Sequence, residues 1–183
     1  MTTPPNKEEH LDQKDVHQLA GFLYELFESQ ITRADTKAGL IIAATTVFAA
    51  GLILFSKGAL LNVFNASASF PIRLTGLLMV LTFISLALSM IYALLVARPI
   101  LQDQGAGGTL FFFGKISRMP YAEFVEKFSS QSAEELREAL LTEVHTTARL
   151  ANQKFIRIRH SLDFLIGAVI LWSLVQLMVG LGN

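Results

Sequence analysis

Three stretches without a charged side chain, Ala38 to Ser56, Leu74 to Ala97 and Phe164 to Gly182, interrupt this chain, and every Lys, Arg, Asp and Glu lies outside them. A bilayer's hydrocarbon core is about 30 Å thick and takes roughly 20 helical residues to cross. All three runs reach that scale, so three transmembrane helices are expected before any motif is considered. Composition agrees: 52% of the 183 residues are hydrophobic and 16% are charged, too apolar a balance for an ordinary soluble domain. The first run begins late and lacks a short basic segment of the signal-peptide kind before it, so it is expected to remain in the mature protein. The absence of cysteine excludes disulfides, thiolate zinc sites and cysteine nucleophiles.

Charge distribution gives an orientation. Lys7, Lys14, Arg33 and Lys37 precede the first run, only Lys57 and Arg73 lie between the first and second, and all other Lys and Arg fall between Arg98 and Asp163. Basic residues collect on the cytoplasmic side, which places the N-terminus and residues 98–163 inside, residues 57–73 outside, and Gly182 and Asn183 outside. The sequon Asn65-Ala66-Ser67 would lie on the outer side, but so short a pattern decides nothing.

The chain thus reads as an all-α membrane protein, with three transmembrane helices, an amphipathic N-terminal helix, and a helical cytoplasmic insert between spans two and three. Residues 1–14 form a polar, disordered lead-in. Residues 15–37 carry Val16, Leu19, Ala20, Leu23, Phe27, Ile31 and Ala34 at three- and four-residue steps, one face of a helix able to run into span one at 38–56. An outer loop (57–73) and span two (74–97) follow, and Arg98-Pro99 ends that helix.

The insert and stalk occupy 98–163. They comprise a turn at Gln104 to Gly108, an aromatic cluster at Leu110 to Gly114, and a short helix from Pro120 to Phe128. Ser132 to Glu135 has the spacing of a capping box, opening a long helix. Leu136, Leu140, Val144, Ala148, Ala151, Phe155, Ile158 and Leu162 continue its period, and no Pro or Gly intervenes before span three at 164–182. Such a helix from Ser132 to Leu181 would be about 75 Å long.

Most chemical motifs fail on inspection. Gly114-Lys115-Ile116-Ser117 has Thr109 where a Walker loop needs its first glycine, and Ile116 where it needs Ser or Thr. Phe111 to Phe113 read as packing residues. His145 and His160 lack a set of neighbouring ligands at helical spacing, Asp163 beside His160 being insufficient, while His10 and His17 lie near the polar end, so no metal or other cofactor is expected. No Ser-His-acid or paired-carboxylate group stands out, and no catalysis and no nucleic-acid partner are expected. Within the spans, Thr45, Thr46, Thr75, Thr82, Ser85, Ser89, Tyr92, Ser173 and Gln176 offer no proton or ion relay. Gly39, Ala43, Thr46 and Ala50 form a small-residue stripe suited to close packing with another span.

Two groups of charges carry alternatives. Arg149, Lys154, Arg157 and Arg159 on the approach to span three serve topology and anionic head groups in one reading. In the other, Lys115, Arg118, Lys154 and Arg157 form a phosphate-binding wall. The sequence favours the first. Asp35, where the N-terminal helix meets the bilayer, is costly unless paired or wet. Screening by its neighbours Arg33 and Lys37 is favoured over a buried pairing with Lys154 or Arg157.

In their order and spacing, Ala34-Asp35-Thr36-Lys37-Ala38-Gly39, Arg98-Pro99, Leu110-Phe111-Phe112-Phe113-Gly114-Lys115-Ile116, Pro120-Tyr121-Ala122-Glu123-Phe124 and Asn152-Gln153-Lys154-Phe155 resemble the small transmembrane effectors of Pycsar antiphage systems, over about Gln18 to Ile170. The resemblance implies an inner-membrane protein that senses a cyclic pyrimidine mononucleotide, cUMP or cCMP, made by a neighbouring cyclase, and then impairs the membrane and kills the cell. It assigns no ligand residues, so Asp35, Lys37 and Lys154 are motif positions of unassigned role. A homo-oligomer is expected, because three spans enclose no pore. The alternative is a constitutive scaffold whose cytoplasmic helices hold a protein partner; an enzyme acting on a nucleotide is a distant third.

Overall fold

The structure, a computed structural model, describes residues 13–56, 69–98 and 113–181. The expected lead-in before Gln13, most of the outer loop with its sequon, the glycine turn, Leu110 to Phe112 and the last two residues lie outside the described residues. Five helices are described: α1 (Gln13–Phe55), α2 (Phe70–Ala97), α3 (Phe113–Ile116), α4 (Tyr121–Ser130) and α5 (Ala133–Leu181). No strand occurs among the described residues. α1, α2 and α5 are each long and apolar enough to cross a membrane.

Helix ends follow local chemistry. Ser69 is extended ahead of α2, and Pro71 sits in its first turn, where a missing amide hydrogen costs nothing. Arg98 is extended at the other end (φ −64°, ψ 126°), as a residue preceding proline must be. α2 therefore begins a turn before the charge-free run and takes Arg73 into its first turn. The short helix starts just after Pro120 and runs two residues past Phe128. At α5 the capping box forms: the Glu135 amide donates to Ser132 Oγ at 3.2 Å, and the Ser132 amide donates to Glu135 Oε2 at 2.7 Å. These bonds hold the Glu135 carboxyl below its ordinary pKa. α1 and α5 are unbroken through the places where sequence left continuity open.

Two compact units divide the chain. Met1–Gln30 and Ile100–Ala151 make up the first. Of the apolar stripe expected on α1, Ala20 is buried, Val16, Leu23 and Phe27 are half-buried, and Leu19 is exposed. Burial, followed by the charges of Glu28 and Glu143, raises the pKa of Tyr24. On α4, Glu123 and Lys127 pair at 2.7 Å and Phe124 packs on Phe128, both at the four-residue spacing of helical neighbours.

Ile31–Pro99 and Asn152–Asn183 make up the second unit, which holds α2 and the apolar parts of α1 and α5. Ala34, Ala38 and Ile41 pack with Ala93, Val96 and Ile158, and farther along Leu52 packs with Leu86 and Ala168. Its polarity is inverted relative to a soluble bundle. Thr82, Ser89 and Ser161 are fully buried, while Leu40, Val47, Phe55, Ile84, Ile170 and Leu177 are exposed. In water that arrangement would expose far more apolar surface than a soluble monomer carries; in lipid it satisfies both faces. The protein is a membrane protein.

Candidate functional site

Asp35 on α1 accepts a hydrogen bond from Lys154 Nζ of α5 at 2.5 Å, across 119 positions of sequence. The Lys154 side chain is 7% exposed and that of Asp35 43%. Local screening by Arg33 and Lys37 was the sequence expectation, and helix geometry explains why it gives way. Residues two apart point to different sides of a helix and do not face each other. Asp35 follows buried Ala34 and turns toward α5, while Arg33 and Lys37 are exposed. Lys37 instead places its ammonium 5.5 Å from the ring centre of Phe155.

Lys154 occupies a core position. Ala151, Lys154, Ile158 and Ser161 recur at three- and four-residue steps and are all buried on α5, so a charged side chain interrupts an otherwise apolar and hydroxyl seam. One turn on, Arg157 Nη1 donates to the Leu95 carbonyl at 2.9 Å, in the last turn of α2, where a cation complements the helix dipole. Deeper in the unit, Ser89 Oγ donates to the Ser161 carbonyl at 2.8 Å and Ser161 Oγ donates to the Ser89 carbonyl at 2.7 Å. Ser85 Oγ donates to the Phe164 carbonyl at 2.7 Å. Tyr92 lies between His160 and Phe164, with ring centres 5.4 and 5.7 Å away.

The four proposed phosphate ligands divide between the units. Lys115, half-buried in α3, and Arg118, exposed just after it, belong to the first; Lys154 and Arg157 belong to the second and are engaged as described. No set of three His, Asp or Glu side chains among the described residues is placed to hold a metal ion. Gly39, Ala43, Thr46 and Ala50 are exposed, and a side chain added at Gly39 would meet nothing within 4 Å, so this stripe does not pack against the chain's own spans. Beside it, an apolar groove of about 700 Å³ runs between α1 and α5, with Val47, Phe48, Phe55 and Trp172 among its walls and Gln176 as its polar member.

Sequence reasoning missed Ser161. It lies outside the charge-free run that marks span three, yet it is fully buried; its place in the Lys154–Ile158–Ser161 period was the available signal.

No curated protein and no solved structure matches the chain. Residues 19–180 match the family model of the Pycsar effector protein domain, so the chain belongs to the Pycsar effector family, membrane effectors of antiphage defence that work with a nucleotide cyclase.

Proposed function

We propose that this effector senses a cyclic pyrimidine mononucleotide, cUMP or cCMP, made by its partner cyclase during phage infection, and answers by impairing the bacterial inner membrane in an abortive response. The structural observation that supports this reading is the continuity of α5. The helix is unbroken from Ala133 to Leu181, so Lys154 and Arg157 stand on the same rod as the third span. A displacement imposed at those residues is passed along the helix axis instead of being absorbed at a hinge.

In this reading the N-terminus and residues 98–163 face the cytoplasm, where the nucleotide is made, and the C-terminal end of α5 faces the periplasm. The distribution of Lys and Arg supports that orientation. The candidate partners of the single phosphate charge are Lys115 and Arg118 in the first unit and, as a separate pair, Lys154 and Arg157 in the second. The chain performs no catalysis of its own. A ligand shifts a two-state equilibrium only by its differential affinity, and a hundredfold preference supplies about 2.7 kcal/mol per site. A homo-oligomer multiplies that by its number of sites.

Titration calorimetry of the detergent-solubilised protein tests the reading. Heat of binding with cUMP or cCMP, and none with cAMP, is the expected result; no heat with any of the three overturns it.

A further inference from the structure

The three spans are not joined alike. α2 and α5 share the reciprocal Ser89–Ser161 bonds, the Ser85 bond to the Phe164 carbonyl and the Arg157 bond to the Leu95 carbonyl. From Ala38 to Phe55, α1 has only two polar side chains. Thr46 donates back to the Ile42 carbonyl of its own helix, and Thr45 Oγ1 is buried without a hydrogen-bond partner among the described residues. Along its span, α1 therefore contacts α2 and α5 through apolar packing alone. Lipid tails are as apolar as leucine, so burying such a face gives little drive to hold helices together in a bilayer. The ion pair at the entry to the span, Asp35 with Lys154, then carries unusual weight.

We infer that Asp35 is a tethered anion that occupies Lys154 in the intact-membrane state, latching α1 onto a fixed α2–α5 pair, and that α1 is the element released when the effector acts. The inference rests on the membrane-impairing reading above. Lys154 is almost wholly buried and charged, so it cannot be left without a counter-ion in that position. Asp35 is the partner with an exposed flank, so a phosphate monoanion arriving from the aqueous side meets the pair there and can replace the carboxylate at Lys154. Loss of the carboxylate frees α1, whose remaining contacts are non-directional. Thr45, unpaired in the latched packing, adds to the cost of that state, because a buried hydroxyl without a partner is destabilising.

The test uses the full-length protein in dye-loaded vesicles of phosphatidylethanolamine and phosphatidylglycerol, without nucleotide. Wild type retains dye, Asp35→Asn releases it about tenfold faster or more, and the exchange Asp35→Lys with Lys154→Asp restores retention. A second readout follows the helices themselves. Because the chain has no cysteine, spin labels at Ile53→Cys and Ile170→Cys report α1 against α5, and labels at Ile84→Cys and Ile170→Cys report α2 against α5. Asp35→Asn lengthens or broadens the first distance and leaves the second unchanged. Retention by Asp35→Asn equal to wild type, an exchange variant as leaky as the single variant, or equal changes in both distances overturns the latch. Failure of wild type to bind any nucleotide would sink the sensor reading without touching these nucleotide-free results.

Discussion

Ser89 and Ser161 each give a hydroxyl hydrogen bond to the other's backbone carbonyl, so two small side chains on α2 and α5 form a closed, fully buried exchange. Neither hydroxyl is left to compete for its own helix. The two Oγ atoms are themselves 3.3 Å apart, close enough that removing either disturbs both bonds.

The pair should therefore behave as one unit in mutagenesis. Polar contacts between membrane helices are worth about 0.6 kcal/mol on average and reach roughly 1.7 kcal/mol. Ser89→Ala and Ser161→Ala are each expected to destabilise the protein by about 1 kcal/mol, and the double variant by clearly less than the sum. Unfolding in mixed micelles measures all three, and strict additivity would contradict the coupling.

Lys115 and Arg118 separate ligand binding from span packing, since Lys154 and Arg157 also hold the second unit together. Hydrogen bonds to charged groups contribute about 1.5–3 kcal/mol. Lys115→Ala and Arg118→Ala are accordingly expected to weaken binding of the cyclic nucleotide by about tenfold or more each, with membrane insertion unchanged. Calorimetry on the inserted variants reads the effect, and unaltered affinity in both removes these two side chains from the ligand site.

The capping box gives α5 a pH-dependent start. Glu135 is held below its ordinary carboxylate pKa by its bonds to Ser132, so the folded cap binds its proton less readily than the unfolded chain. The stabilisation is present in full above the unfolded value and disappears as pH falls through the lower native one. Hydrogen-exchange protection in the first turn of α5, corrected for intrinsic rates, is expected to fall with acidification through that window. Glu135→Gln removes the titrating group and should abolish the pH dependence, while Ser132→Ala, which keeps the backbone donor to Glu135, should only lower protection and weaken the dependence; an unchanged profile in Glu135→Gln would contradict it.

Much of the fold was legible because lipid imposes a simple rule: the gaps in charge at Ala38, Leu74 and Phe164 each fall on a long apolar helix. Local chemistry was legible too, as the Ser132–Glu135 cap and the extended Arg98 before Pro99 show. The candidate site was less so. Charge marks where a charge-free run begins but not where helix packing begins, and the buried seam of α5 continues past Phe164 back to Ser161, Ile158 and Lys154. The choice of Lys154 as partner for Asp35 depends on how α1 turns against α5, a tertiary fact absent from spacing along either helix. The small-residue stripe of α1 illustrates the same limit: Gly39, Thr46 and Ala50 belong to a face that permits close approach, yet these residues are exposed, and a side chain added at Gly39 would meet nothing within 4 Å.

Dye release from vesicles carrying the wild-type protein, followed as cyclic nucleotide is added, tests the central claim most directly. The account predicts that cUMP or cCMP empties the vesicles in a concentration-dependent manner while cAMP leaves them sealed. Vesicles that stay sealed under both pyrimidine nucleotides, with the protein shown to be inserted, would contradict it.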